Sequence, residues 1–469
     1  MTTRRRTSQV TFSDVALFGG ALPPPEQLMD ERLRRIDEFL DDPALVDAVV
    51  ERLGRRRQHS AKRGRSSTPA EVVLRLLVLK HLRDWSYEGL EWEVTGNVVY
   101  RRFCRIDAGK VPDAKTMVRY GQLLDESVLR PLFDRLVRVA VEAGVSRGQR
   151  LRVDTTVIEA PIHHPSDSTL CEDVVRVAAR EIERLEEAGV ELPFHRAGVR
   201  RSVAHRLREI AQALRRKGDA AREALKRPYR GLLRITGRLI RQAEMAVAAG
   251  HERLATARGP RASRIWSAIS KLDSLLPLGR RVVRQTRARV IRGETRSEGK
   301  LISIFEPNAR ILRRGKLHKP TEFGQMVVVQ EAEGGLVTNI GVVSQHDTAL
   351  LVPAVERHIT VFGRPPILAA TDRGFFSTVG ELRVRQLGVR RPVIPHSGYR
   401  SKQRITFERQ RWFRRGRAWR AGGEARIGRL KHTFGMARSR YRGDAGTART
   451  TYWAAIANNL IAMASRATA

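Results

Sequence analysis

The sequence is poor in cysteine, in aromatic residues and in long hydrophobic runs. Two cysteines in 469 residues, Cys104 and Cys171, exclude a disulfide scaffold and a cysteine-built zinc site, and they fit a reducing cytoplasm. A membrane helix needs roughly 18–20 uninterrupted apolar residues. The most apolar windows fall short: Val72–Lys80 is broken by Arg75, and Trp453–Met463 is brief and holds two Asn. The opening residues, MTTRRRTSQV, are basic with no apolar stretch behind them, so no secretory signal is expected. Acids are scarce as well: 50 Asp and Glu stand against 88 Lys and Arg, a formal net charge of +38. With 41% hydrophobic residues the chain can bury a core, which excludes wholesale disorder. The length suits two to four domains, or one domain carrying large insertions.

A charge of +38 repels itself unless a polyanion neutralises it. The excess is uneven, with 26 Lys and Arg against 8 Asp and Glu over residues 201–300, and 15 against 3 over residues 401–450. Arginine dominates both blocks and suits bidentate phosphate contact, so a nucleic acid is the expected partner. The bland alternative is a solvated basic surface.

Residues 1–67 read as a basic lead, helices over 26–53 and a basic linker, GRRRQHSAKRGRSS. Thr68-Pro69-Ala70-Glu71 then carries helix-start chemistry, with Thr as the cap, Pro in the first position and Glu three residues past the cap. A second helix is expected around Trp85–Val94, and a third opens at Pro112-Asp113. Residues 68–145 therefore form an all-α N-terminal region, suited to DNA binding or to an ordinary bundle. At Leu151 the pattern turns β-branched, and Leu151–Ile158 reads as a strand. Residues 172–290 return to helical spacing with Arg-rich polar faces, as in Val203, Leu207, Ile210 and Leu214, and read as a helical insertion. Strands are expected again at Leu301–Phe305, Gln325–Gln330 and Leu336–Val343, the last two joined by the turn Glu333-Gly334-Gly335. Helix, strand, helix and strand follow over Thr348–Val361, Pro366–Thr371, Val379–Leu387 and Arg391–Ile394. Residues 146–171 and 291–469 thus form an α/β domain, a mixed sheet with flanking helices.

Three acids stand out from their surroundings. Asp154 sits inside a strand, where Asp is depleted and a buried carboxylate needs a partner. Its local alternative is an Asp satisfied by Thr155 or Thr156. Asp372 ends the strand Ile367–Thr371, a common active-site position in open sheets, although Asp-x-Gly is also an ordinary turn. Glu424 is the one acid between Glu408 and Asp444, and its local alternative is a surface pair with Arg420, four residues away on the same helix. Carboxylates of this kind suit metal-assisted phosphoryl chemistry, in which Mg²⁺ takes oxygen ligands and two ions clamp the attacking and leaving oxygens.

With these residues in view, the chain resembles the bacterial insertion-sequence transposases of the DDE type. Arg420, three residues, Glu424, six residues and Lys431 match the Y-(2)-R-(3)-E-(6)-K signature of that group. The signature Tyr falls at position 417, where this chain has Arg417. DTTVIEAPIHHPSDS (154–168) resembles the family's first-Asp segment, ATDRGFFS (370–377) the second, and TPAEVVLRLLVLKHLRDWSYEGLE (68–91) its N-terminal region. The likeness covers about residues 68–170 and 300–465. It implies an RNase H-like catalytic domain in which Asp154, Asp372 and Glu424 ligate two divalent ions, Mg²⁺ or Mn²⁺. It also implies that Arg417, Arg420 and Lys431 contact DNA. The implied activity is cleavage at the terminal inverted repeats of the element and joining of the 3′-OH ends to target DNA. Both partners are double-stranded DNA, handled by a homodimer or larger synaptic complex in the cytoplasm at the nucleoid, away from any membrane.

Other chemistry does not fit. Gly293 to Gly299-Lys300 has one residue too many for a P-loop, and Leu301 replaces its Ser or Thr. His163-His164 has no second spaced pair to complete a zinc site, and His205-x-x-Arg208 lies in an Arg-rich helix where such spacing arises by chance. Two alternatives remain beside the transposase: a DNA-binding protein that descends from one without cutting, and a metal-dependent nuclease.

Overall fold

A computed structural model describes residues 25–54, 68–106, 109–194, 198–215, 218–294, 299–313 and 320–466. The lead up to residue 24 and the linker over 55–67 lie outside the described residues. The chain divides into two units, residues 1–160 with 324–469, and residues 161–323.

The first unit opens with eight helices: α1 (Pro25–Leu28), α2 (Glu31–Phe39), α3 (Pro43–Gly54), α4 (Ala70–Arg83), α5 (Tyr87–Gly96), α6 (Val98–Phe103), α7 (Ala114–Leu123) and α8 (Glu126–Glu142). Helix α4 is buried on nearly every side, as its apolar composition requires. It begins one residue later than the sequence implied. Pro69 precedes it without a side-chain cap, and Glu71 turns to Arg75 at 3.1 Å instead of closing a capping box. The Arg that interrupts this apolar run is itself fully buried. Arg75 is held by Glu71, by Asp37 and, at 2.8 Å, by Asp41, so three carboxylates satisfy its burial. Helix α7 starts as expected, with the Asp113 carboxylate accepting from the Thr116 amide at 2.7 Å.

Strand β1 (Arg150–Glu159) follows, and the chain then enters the second unit. Here α9 (Asp167–Glu187), α10 (Val199–Leu214), α11 (Asp219–Thr256) and α12 (Gly259–Thr286) pack together around a core that includes Leu170, Val174, Ile182, Leu232, Leu239, Ile269 and Leu272. The helical pattern expected from residue 172 begins earlier, at Asp167, because Ser166 and Thr169 form a reciprocal capping box. The strand expected at Leu301–Phe305 is absent. Leu301, Ile302 and Ile304 are buried, but the backbone of Leu301 is bonded by the Gln285 side chain. The Ser303 hydroxyl then accepts from the amides of Phe305 and Glu306, which bends the chain into a turn. The described strand of this segment is the short β2 (Arg310–Leu312).

Back in the first unit, β3 (Glu322–Ala332) and β4 (Val337–Val343) form the expected hairpin. Gly334 and Gly335 both take positive φ at its turn, a conformation that disfavours side chains. After α13 (Leu351–Phe362) come β5 (Leu368–Ala370), α14 (Thr378–Gln386), β6 (Arg391–Val393), α15 (Lys402–Arg409), α16 (Arg411–His432) and α17 (Gly443–Arg466). The strands of this unit run in the order β4-β3-β1-β5-β6. Pairs β4–β3 and β3–β1 are antiparallel, while β1–β5 and β5–β6 are parallel, so the sheet is mixed and the protein is α/β. Helix α17 packs on β4, α8, α2 and α4 with Trp453 fully buried. The two Asn that interrupt its apolar run serve the sheet: Asn459 bonds both the amide and the carbonyl of Val337, and Asn458 donates to the Gly335 carbonyl. No helix among the described residues is long and apolar enough to cross a membrane.

Candidate active site

Strand register brings the first two acids into line. In the parallel pair, Arg152 lies opposite Ala370, and Asp154 and Asp372 each follow two residues later. Both acids therefore stand at the carboxyl-terminal side of the β1–β5 pairing, where open sheets place their sites. Helix α16 supplies the third acid. It comes close to the sheet through glycines: a Cβ at Gly416 would fall 2.5 Å from Val393, and one at Gly422 would fall 2.7 Å from the Arg152 guanidinium.

At about 100° per residue, Arg417, Arg420, Glu424 and Lys431 share one face of α16 within about 60° of arc. Arg420 sits at the edge of that face and turns inward. Its guanidinium donates to Asp154 Oδ2 at 2.8 Å and to Glu424 Oε1 at 3.2 Å, so one cation joins the first and third acids. Asp154 is enclosed, with its side chain 14% exposed, whereas Glu424 is 72% exposed. Asp372 and Arg420 line the same open cleft, together with Arg373, Arg414 and Arg417. Lys431 is half-buried two turns beyond Glu424.

Each acid also makes the local contact that ordinary structural use would give it. The Thr155 amide donates to Asp154 at 2.8 Å, the Gly374 amide donates to Asp372 at 2.9 Å, and Glu424 pairs with Arg420 along the helix. Convergence on Arg420 is what those local roles do not explain.

Two further features carry no local sequence signal. Glu331 on β3, 3% exposed, accepts two bonds from Arg152 at 2.7 and 2.8 Å and one from Arg426 at 3.1 Å. Arg152 also donates to the Trp419 carbonyl at 2.8 Å and lies over the Trp419 ring, so this ion network ties α16 to the sheet beside Asp154. The second is Asp347, which accepts from the Thr155 hydroxyl at 3.1 Å and approaches Asp372 across Gly374. A Cβ at Gly374 would lie 3.0 Å from Asp347 and 3.2 Å from Asp372. Opposite charges near Glu331 were legible only as composition, and Asp347 reads locally as a helix-start residue.

The carboxylates are hard oxygen donors of the kind Mg²⁺ and Mn²⁺ take. A cation already lies between Asp154 and Glu424, in the form of the Arg420 guanidinium. Among the described residues no three Asp, Glu, His or Cys stand close enough together to hold a metal ion. Within the second unit, His163 pairs with Asp173 at 3.4 Å and His205 with Glu209 at 3.6 Å. Both cysteines are buried thiols, and burial raises both above the ordinary thiol range.

Residues 24–123 fit a family model described as Transposase domain (DUF772). That segment spans α1 to α7 and ends before β1, so it supports a transposase role without touching any of the three acids. No solved structure matches the chain.

Proposed function

We propose that the chain is a DDE-type DNA transposase with an RNase H-like catalytic domain. In this reading it binds the terminal inverted repeats of its own element, hydrolyses a phosphodiester at each end to free a 3′-hydroxyl, and joins that hydroxyl to target DNA. The observation that carries the proposal is Arg420, bonded to Asp154 and Glu424 while facing the cleft that Asp372 lines. Asp154, Asp372 and Glu424 would hold two divalent ions. Such ions lower the pKa of the attacking water or hydroxyl and neutralise the leaving oxyanion.

The rest is work for the chain's own residues. Arg373, Arg414, Arg417 and Arg420 place guanidinium groups around the cleft, where bidentate bonds to phosphate fix the strand. Arg420 exchanges a carboxylate for a phosphate oxygen when DNA enters, which releases Asp154 and Glu424 to act as ligands. Lys431, about 10 Å beyond Glu424 along the same helix face, meets the next phosphates of the strand. Hydrolysis and joining are both in-line displacements at phosphorus, so one site serves both steps. Cutting two ends together calls for a homodimer or larger synaptic complex.

The test is cleavage and strand transfer on DNA ending in the element's own repeat, with Mg²⁺ or Mn²⁺, comparing wild type with Glu424→Gln. Metal-dependent nicking at the repeat end that vanishes in the variant supports the proposal; equal cutting by both sinks the acid assignment. One observation favours a second reading, a DNA-binding protein that no longer cuts: the guanidinium occupies the place between two of the acids. Repeat binding with no nicking in either metal would select it. Nicking without strand transfer would select a nuclease.

A further inference from the structure

Helix α11 of the second unit carries a line of arginines with no acid among them. From residue 224 to residue 243 the sequence holds Lys226, Arg227, Arg230, Arg234, Arg238 and Arg241, and neither Asp nor Glu. The five arginines are exposed. At about 100° per residue they fall within about 80° of arc, directly opposite the buried face formed by Leu232, Leu233, Thr236, Leu239, Ile240 and Ala243. Among the described residues none of the five has a hydrogen bond or ion pair, whereas the acids that bracket them are taken. Glu223 pairs with Lys226 at 2.7 Å, and Glu244 pairs with Arg280 at 2.6 Å.

An amphipathic surface helix normally mixes both signs on its polar face, which limits self-repulsion. Here five like charges lie about 4.5–6 Å apart along roughly 21 Å of helix. A row of like charges of this kind is matched by a regular row of anions. Arg presents a planar fork suited to phosphate oxygens, and duplex DNA offers one phosphate per about 3.4 Å of axis on each strand.

We propose that this face of α11 is a docking surface for the sugar-phosphate backbone of duplex DNA, outside the acid-lined cleft and independent of base sequence. The proposal rests on the DNA-transposase reading for the choice of DNA over other polyanions.

The test is the salt dependence of nucleic-acid binding by the full chain, measured on repeat DNA, on an unrelated duplex and on a single-stranded RNA. Wild type is compared with a variant changing Arg227, Arg230, Arg234, Arg238 and Arg241 to Gln, and with one changing the same five to Lys. Each phosphate contact contributes about 0.9 to the slope of log K against log salt, so the Gln variant should lose up to about 4.5 units of slope on both duplexes. The Lys variant should keep most of it. Thermal denaturation of the Gln variant should stay near the wild-type midpoint, since the mutual repulsion it removes is offset by the lost attraction of Arg227 to Glu209 and of Arg230 to Glu223. A slope within one unit of wild type, in a chain that still binds DNA, overturns the docking surface alone. A wild-type chain that binds no DNA overturns both this inference and the proposed function. Loss of single-stranded RNA binding with unchanged duplex binding overturns the choice of occupant.

Discussion

Replacing Glu331 by Gln removes the one negative charge that two arginines share beneath α16. Glu331 is 3% exposed, and Arg152 and Arg426 are 13% and 17% exposed, so water screens little of the loss. Breaking a buried ion pair by removing one partner costs about 3–5 kcal/mol, because the remaining charge stays buried and unpaired. Three charge-assisted bonds are affected, and both arginines lie against α16: Arg152 bonds the Trp419 carbonyl, and Arg426 belongs to the helix itself. The cost therefore falls on the docking of α16. At about 1.4 kcal/mol per decade, amide hydrogen exchange across Arg411–His432 should accelerate by roughly two to three and a half decades. Adding Arg426→Gln removes one of the stranded charges and should recover part of the protection. Because α16 carries Arg420 and Glu424, repeat-end nicking should fall more than DNA binding does. Exchange within threefold of wild type would refute the argument, since the network would then contribute nothing to holding the helix.

Two other perturbations follow from the same geometry. Gly374→Ala places a methyl 3.0 Å from the Asp347 carboxylate and 3.2 Å from that of Asp372. It should reduce nicking with little change in thermal stability, because Gly374 has an ordinary backbone conformation; unchanged nicking would detach Asp372 from the chemistry. His81 stacks on Trp453 at 4.9 Å, and burial, reinforced by Lys80 and Arg440, holds its pKa well below the usual 6.5. The unfolded chain takes up this proton first, so the first unit loses about 1.4 kcal/mol per pH unit as the pH falls below about 6.5. His81→Phe keeps the stack and drops the proton, and its denaturation midpoint should decline less between pH 6.5 and 5 than that of wild type. Parallel declines would contradict the assignment.

Local chemistry made much of this fold readable. The β-branched run at Leu151–Ile158, the Glu333-Gly334-Gly335 turn and the Asp113 cap all did in three dimensions what neighbouring residues dictate. The errors came where distant residues decide. Leu301–Phe305 has the composition of a strand, but Gln285, sixteen residues before Leu301, takes its backbone bonds. Arg75 looked like an interruption of an apolar helix and is instead the buried partner of Asp37 on α2, Asp41 in the turn that follows it and Glu71 on α4. The acids of the candidate site were conspicuous one at a time, each for being out of place. The alignment of Asp154 with Asp372 depends on parallel register between strands more than two hundred residues apart, and the link from Asp154 to Glu424 on the reach of Arg420; neither is written in any local window. The Arg152–Glu331–Arg426 network is long-range in the same way.

The most direct test of the three-acid centre measures binding and nicking together on one repeat-end DNA, with Mn²⁺ present, for wild type and Asp372→Asn. Asp372 lies in the cleft, while the carboxylates that Arg420 bonds are those of Asp154 and Glu424, so the Asp372 charge can be removed with the α16 ion pairs left in place. Nicking should disappear while repeat binding stays within about threefold of wild type. Nicking that persists in Asp372→Asn, or binding that collapses along with it, would contradict the centre proposed here.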